Sequence, residues 1–151
     1  MVLVHASCVA LKGKGVLLRG APGAGKSDLA LRLIEGGATL VADDQVELTS
    51  GGEMLFAAPP ARIAGLLEVR GIGIVSMEFL SQCPVHLVVD LVQPEKVERM
   101  PKTATAELCG HRVAHMVLAP FEASAPAKVR LALSRAVAAD RGSQATRAVG
   151  R

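Results

Sequence analysis

Eight consecutive residues, Gly20-Ala21-Pro22-Gly23-Ala24-Gly25-Lys26-Ser27, complete the pattern G-x-x-x-x-G-K-[ST]. The run before them, Val16-Leu17-Leu18-Arg19, is short and apolar, as in a buried strand. In the run after them Leu29 and Leu33, and Ala30 and Ile34, recur at the four-residue spacing of a helix face until Gly36-Gly37 stop it. Strand, glycine-rich loop and helix in that order are the context in which the pattern forms a P-loop. The glycines let successive backbone N–H groups turn toward phosphate oxygens, and the helix N-terminus adds about half a unit of positive charge. Lys26 reaches the β- and γ-phosphates, and Ser27 can ligate Mg²⁺.

The rest of the chain fits an α/β domain with a mixed sheet. Val2 to Leu11 reads as a strand joined by the Lys12-Gly13-Lys14-Gly15 turn to Val16–Arg19. Thr39–Ala42, Gln45–Thr49, Glu53–Ala57 and Val85–Val92 read as further strands, with a weaker pair at Thr103–Cys109 and Val113–Leu118. After Pro59-Pro60 a short helix is expected at Ala61–Leu66, and Glu68–Ile74 is too glycine-punctuated for a regular element. Ser124 can cap a last helix with Val129, Leu133 and Val137 on one face. The expected division is a domain over 1–140 and a basic tail over 141–151.

Composition removes several function classes. The longest apolar candidate, Val85 to Val92, is broken by Asp90 and falls far short of the roughly 18 residues of a membrane span. The N-terminus has no basic region followed by a cleavage pattern, so secretion is not expected. Cys8, Cys83 and Cys109 are odd in number and form no CxxC pair, which suits a reducing cytoplasm. Aromatics make up 2% of the chain, without Trp or Tyr, so single-stranded nucleic acid finds no row of stacking side chains. The net charge of +3 belongs to the end of the chain. The first 127 residues hold eleven basic against thirteen acidic groups, or −2.

A P-loop needs acidic partners for its metal and for activating a hydroxyl, and two strand ends supply them. Leu40-Val41-Ala42-Asp43-Asp44 is one, and Leu87-Val88-Val89-Asp90 is the other. The doublet is preferred because two adjacent carboxylates can divide labour, one supporting the metal shell and one accepting a proton. Asp90 is read as a solvent-facing strand residue. Cys109, His111 and His115 cluster late in the chain, but without a fourth ligand they are read as strand residues.

With these elements in order, His5, the P-loop, Asp43-Asp44 and Leu67-Glu68-Val69-Arg70-Gly71-Ile72-Gly73-Ile74 resemble the catalytic domain of HPr kinase/phosphorylase. That family keeps a P-loop, an acidic doublet and an E-x-R-G-x-G signature. The resemblance is close from His5 to about Met77 and implies a short form without the N-terminal domain of longer members. It implies ATP and Mg²⁺ as cofactors, with Gly20 to Ser27, Asp43 and Arg70 around the nucleotide, and Ser27 and Glu68 as metal ligands. Lys26 would bind phosphate, and Asp44 would take the proton from a protein serine. His5 and Arg99 would match further catalytic residues, and either Arg70 or Arg99 could neutralise the transferring phosphoryl group.

The implied activity is Mg²⁺-dependent transfer from ATP to a serine of HPr or an HPr-like phosphocarrier of the phosphotransferase system, with phosphate-driven dephosphorylation in reverse. A homo-oligomer in the cytoplasm is expected, with neither nucleic acid nor membrane as partner. Where the family has an arginine- and asparagine-containing loop linked to dephosphorylation, this chain has Ala119-Pro120-Phe121-Glu122-Ala123-Ser124. Two other readings of the P-loop stay open: a kinase acting on a small molecule, and a regulatory module for which ATP is only a signal.

Overall fold

The computed structural model describes residues 1–149, with side chains up to Gly142. The single strand expected at the N-terminus is two, β1 (Val2–Val4) and β2 (Ser7–Leu11), parted at His5-Ala6. They separate because they pair with different neighbours. Next come β3 (Lys14–Arg19), α1 (Lys26–Glu35), β4 (Thr39–Ala42), β5 (Val46–Gly51) and β6 (Met54–Ala58). The hairpin between β2 and β3 closes on two residues, Lys12 and Gly13, both at positive φ, which is a tighter turn than the four residues expected.

The short helix after Pro59-Pro60 shrinks to a single 3₁₀ turn, Ala61–Ile63. Leu66 instead begins β7 (Leu66–Val69), which pairs antiparallel with β8 (Gly73–Ser76). The segment expected to be a loop is thus a hairpin. Its glycines serve the turn: Gly71 has φ +88°, and Ile72 N–H donates to the Val69 carbonyl at 3.0 Å. Leu67, fully buried beside α1, anchors this hairpin next to the P-loop.

The chain ends with β9 (Cys83–Leu91), β10 (Ala104–Leu108), β11 (His111–Leu118) and α2 (Ala125–Val149). The last helix therefore continues beyond Asp140 to Val149, through most of the segment expected to be a tail. Residues 150–151 lie outside the described residues.

Among the described residues, nine strands form one mixed sheet in which β3, β9 and β11 run parallel, and every other strand pairing is antiparallel. The run β4-β2-β3-β9-β11-β10 carries the P-loop, while β1, β5 and β6 continue from the start of β9 and fold across one face. Val16 and Leu18 of β3 and Leu87, Val89 and Leu91 of β9 pack against Leu29 and Leu33 of α1 and Val129 and Leu133 of α2. On the opposite face Cys8, Leu17 and Val88 pack against Val46, Leu48, Leu55 and Ala57. Strands covered on both faces have no polar alternation, which is why β3 and β9 read as continuous apolar runs. Each such Leu or Val contributes about 1.5–3 kcal/mol through burial. The result is a rigid strand end from which the P-loop departs.

Candidate active site

Gly20 follows β3 directly, and Gly25 caps α1 in the left-handed conformation, φ +103°. A side chain at Gly25 would also collide with the ring of Phe121, 2.8 Å from the position a Cβ would take. The left-handed backbone is what favours glycine there. Lys26 lies across the loop and donates to the carbonyls of Gly20 at 2.7 Å and Ala21 at 3.2 Å. Those are neutral acceptors, so an anion in the loop can recruit the ammonium from them.

Asp43 is the hub of the site. It is buried, 6% exposed, at the end of β4. Its Oδ1 accepts hydrogen bonds from Ser27 Oγ and Ser7 Oγ, each at 2.7 Å, and its Oδ2 accepts from the backbone N–H of Glu68 at 3.1 Å. One carboxylate thus ties together α1, β2 and the β7–β8 hairpin. A buried charge with three donors is satisfied, which makes its burial tolerable.

Asp44, the next residue, points elsewhere. Its φ is +67°, and Gln45 N–H closes back on the Asp43 carbonyl at 2.7 Å, a three-residue turn that separates the two side chains. Asp tolerates the left-handed region better than most residues. The Asp44 carbonyl accepts from Ala6 N–H at 3.2 Å, which holds the turn against the start of β2. Exposed Asp44 lines a cavity of about 420 Å³ with Lys26, Ser27, Glu68 and Arg70.

The donor set suits Mg²⁺. Ser27 gives its proton to Asp43, which leaves the hydroxyl lone pairs for a cation, and Glu68 and Asp44 add carboxylates at the same cavity. Among the described residues no three His, Cys, Asp or Glu side chains form a closed metal cage. Mg²⁺ does not need one, since it takes one or two protein ligands and completes its shell with phosphate and water.

Residues 1–128 match the family described as the HPr Serine kinase C-terminal domain. The chain belongs to this family. An HPr kinase/phosphorylase of Exiguobacterium sp. is 45% identical over 99 residues, covering 60% of this chain and 32% of that protein. The HPr kinase/phosphorylase of Mycoplasmopsis pulmonis is 34% identical over 102 residues, 63% of this chain and 33% of that protein. The matched segment is therefore about a third of the length of these curated relatives. The structure of the Hpr(Ser) kinase/phosphatase from Coxiella burnetii superposes with a TM-score of 0.85 at 26% identity, over 99% of this chain and 98% of that one. The α/β fold with its mixed sheet is that of the HPr kinase catalytic domain, and the similarity extends well past Met77.

Against this HPr kinase frame, the site residues expected from sequence divide into two groups. Lys26, Ser27, Asp44, Glu68 and Arg70 meet in one cavity, with Asp43 beneath them. His5 and Arg99 do not line it. His5 is exposed in the bend between β1 and β2, beside Ala6, rather than on a strand. Arg99 is exposed between β9 and β10.

Asp90 is not the solvent-facing strand residue expected from sequence. Arg19 grips both of its oxygens, Nε to Oδ1 at 2.8 Å and Nη2 to Oδ2 at 2.9 Å, and His115 Nε2 meets Oδ2 at 2.7 Å. Partial burial works to raise the Asp90 pKa, but the hydrogen bonds and charge of Arg19 and His115 outweigh it and hold the carboxyl below the usual range. A carboxylate so engaged joins β3, β9 and β11 and is a poor proton acceptor. His111 meets Ser50 at 2.7 Å, while Cys109 forms a turn with Gly110. Among the described residues the cysteines are free thiols, with Cys8 and Cys83 buried.

Ser7 is the site residue that the sequence reading missed. Its hydroxyl is fully buried in the otherwise apolar strand Ser7-Cys8-Val9-Ala10-Leu11. A polar group in such a strand needs a partner. That need was the available signal.

Proposed function

We propose that this HPr kinase-family domain transfers a phosphoryl group from ATP, with Mg²⁺, to a serine of HPr or an HPr-like phosphocarrier of the phosphotransferase system. The observation that carries this reading is the meeting of Lys26, Ser27, Asp44 and Glu68 around one cavity. Phosphoryl transfer asks for positioning and charge stabilisation more than for covalent catalysis.

Lys26 exchanges its two carbonyl contacts for phosphate oxygens. Ser27 and Glu68 hold Mg²⁺, with Asp43 orienting the Ser27 hydroxyl. A Mg²⁺ ion held there would supply positive charge to offset the charge that develops on the phosphoryl group during transfer. Asp44 accepts the proton of the attacking serine hydroxyl, and its fixed turn keeps the carboxylate aimed into the cavity. Arg70, at the same cavity, neutralises charge on the phosphoryl oxygens. His5 and Arg99, which do not line this cavity, are given no step in this scheme.

Incubation with γ-labelled ATP, Mg²⁺ and purified HPr, followed by mapping of the labelled residue, tests the reading. Phosphoserine on HPr is expected. Label in a small molecule, or ATP binding without transfer, would replace this reading with one of the two alternatives.

A further inference from the structure

A second cavity, of about 570 Å³, adjoins the first. The two share Pro22, Gly23 and Phe121, so the P-loop and one aromatic ring form the wall between them. Their chemistry differs sharply. The first presents Lys26, Asp44, Glu68 and Arg70, whereas the second is lined mainly by apolar residues such as Leu91, Val92, Ala119 and Pro120, with Gln93, Lys96 and Glu122 as its polar groups. We propose that this apolar cavity receives the adenine of the nucleotide whose phosphates occupy the P-loop, with Phe121 as the stacking surface and Gln93 reading the base edge. This rests on the reading of the first cavity as the phosphate site.

Phe121 carries the assignment. It is 70% exposed in a chain with only three aromatic residues, all of them Phe. An exposed ring that serves no core packing is available to a planar ligand. The backbone on either side of it is held in place. Arg32 of α1 donates to the backbone carbonyls of Pro120 and Glu122, the latter at 3.4 Å, and Ala125 N–H donates to the Glu122 carbonyl at 3.0 Å. The ring therefore lies over Gly25 before any ligand arrives, and a preorganised surface binds with less entropic cost.

The opposite rim is equally fixed. Val92 N–H donates to the Leu118 carbonyl at 3.0 Å, and Lys96 N–H to the Gln93 carbonyl at 3.0 Å, so the ends of β9 and β11 are joined below the cavity. The Gln93 carboxamide offers a donor and an acceptor side by side. On the N7 edge adenine presents the matching acceptor and donor at N7 and N6, whereas guanine presents two acceptors at N7 and O6. A purine that turns its N7 edge to Gln93 satisfies both groups only if it is adenine.

Direct binding to the whole chain, measured by calorimetry with ATP, GTP and inorganic tripolyphosphate, tests the proposal without any phosphocarrier. ATP is expected to bind more tightly than either other ligand. Phe121→Ala should weaken ATP by at least about fivefold and leave tripolyphosphate unchanged, while Phe121→Trp restores ATP binding. Gln93→Ala should narrow the gap between ATP and GTP. Thermal melts of each variant separate lost stacking from lost folding. If ATP and tripolyphosphate bind equally and Phe121→Ala changes neither, the base subsite is wrong while the phosphate site stands. If neither binds, both fall. Tight ATP binding without transfer to HPr would overturn the proposed function and leave the subsite intact.

Discussion

Ser27 Oγ lies 2.7 Å from Asp43 Oδ1, which joins the first turn of α1 to the end of β4. The contact gives the P-loop hydroxyl a fixed orientation before nucleotide or metal arrives. Because the same oxygen accepts from Ser7, and its companion from Glu68 N–H, the orientation is shared by three elements of the fold.

Removing that acceptor should cost stability as well as activity. Asp43→Ala leaves the buried Ser7 hydroxyl and the Glu68 N–H without their partner, a loss of about 2 kcal/mol or more. Ser7→Ala removes one donor and leaves the carboxylate two, a smaller loss of about 1 kcal/mol. Urea unfolding of both variants measures the difference. Equal losses would show that the carboxylate is not the shared acceptor.

Asp44 should separate chemistry from folding. It is exposed, and Asn at this position tolerates the same positive φ, so Asp44→Asn should keep the fold. Serine phosphorylation should slow by roughly 10²–10⁴-fold, the usual worth of a positioned general base, with a smaller effect on ATP affinity. Single-turnover transfer to HPr checks this. A larger rate loss in Asp90→Asn than in Asp44→Asn would make Asp90 the base.

The Asp90 pair sets a dependence on acid. Its folded pKa lies below that of the unfolded chain, so its contribution to stability is complete above the unfolded value, near pH 4, and fades as pH falls through the lower folded value. Asp90→Asn should therefore be less stable than the parent at pH 7, with the gap closing below about pH 4. Denaturant midpoints at the two pH values measure it. A gap that stays constant into acid would mean that the ion pair with Arg19 and His115 contributes nothing through charge.

The forward reaction should outrun the reverse. The phosphate-driven direction must gather inorganic phosphate beside a phosphoserine, and the segment from Ala119 to Ser124 brings Phe121 and Glu122 rather than cationic donors. Lys128, 3.4 Å from Glu122, offsets only part of that carboxylate. Pyrophosphate release from serine-phosphorylated HPr in excess phosphate, compared with transfer from ATP at equal enzyme concentration, tests the asymmetry. A reverse rate equal to the forward rate would show that the donors come from elsewhere.

Local signals read correctly at the P-loop and in the elements that flank it. The P-loop, α1 and the apolar cores of β3 and β9 were legible because glycine conformation, helix periodicity and burial on two faces leave marks within a few residues. The E-x-R-G-x-G signature was legible as a motif, yet its hairpin was not. Glycines at 71 and 73 look like loop residues until β7 finds β8 and Leu67 finds the core.

The finer organisation of the site came from contacts between distant residues. Ser7 meets Asp43 across 36 positions, Arg19 meets Asp90 across 71, and Arg32 meets Pro120 across 88. No local rule relates such positions, because folding pays their loop-closure entropy with core burial elsewhere in the sheet. Sequence was enough to nominate Lys26, Ser27, Asp44 and Glu68, which meet at one cavity. Tertiary packing decided that Asp43 is buried beneath Ser27, that Asp44 faces the cavity, and that Asp90, of the same residue type at a similar strand end, is neutralised by Arg19.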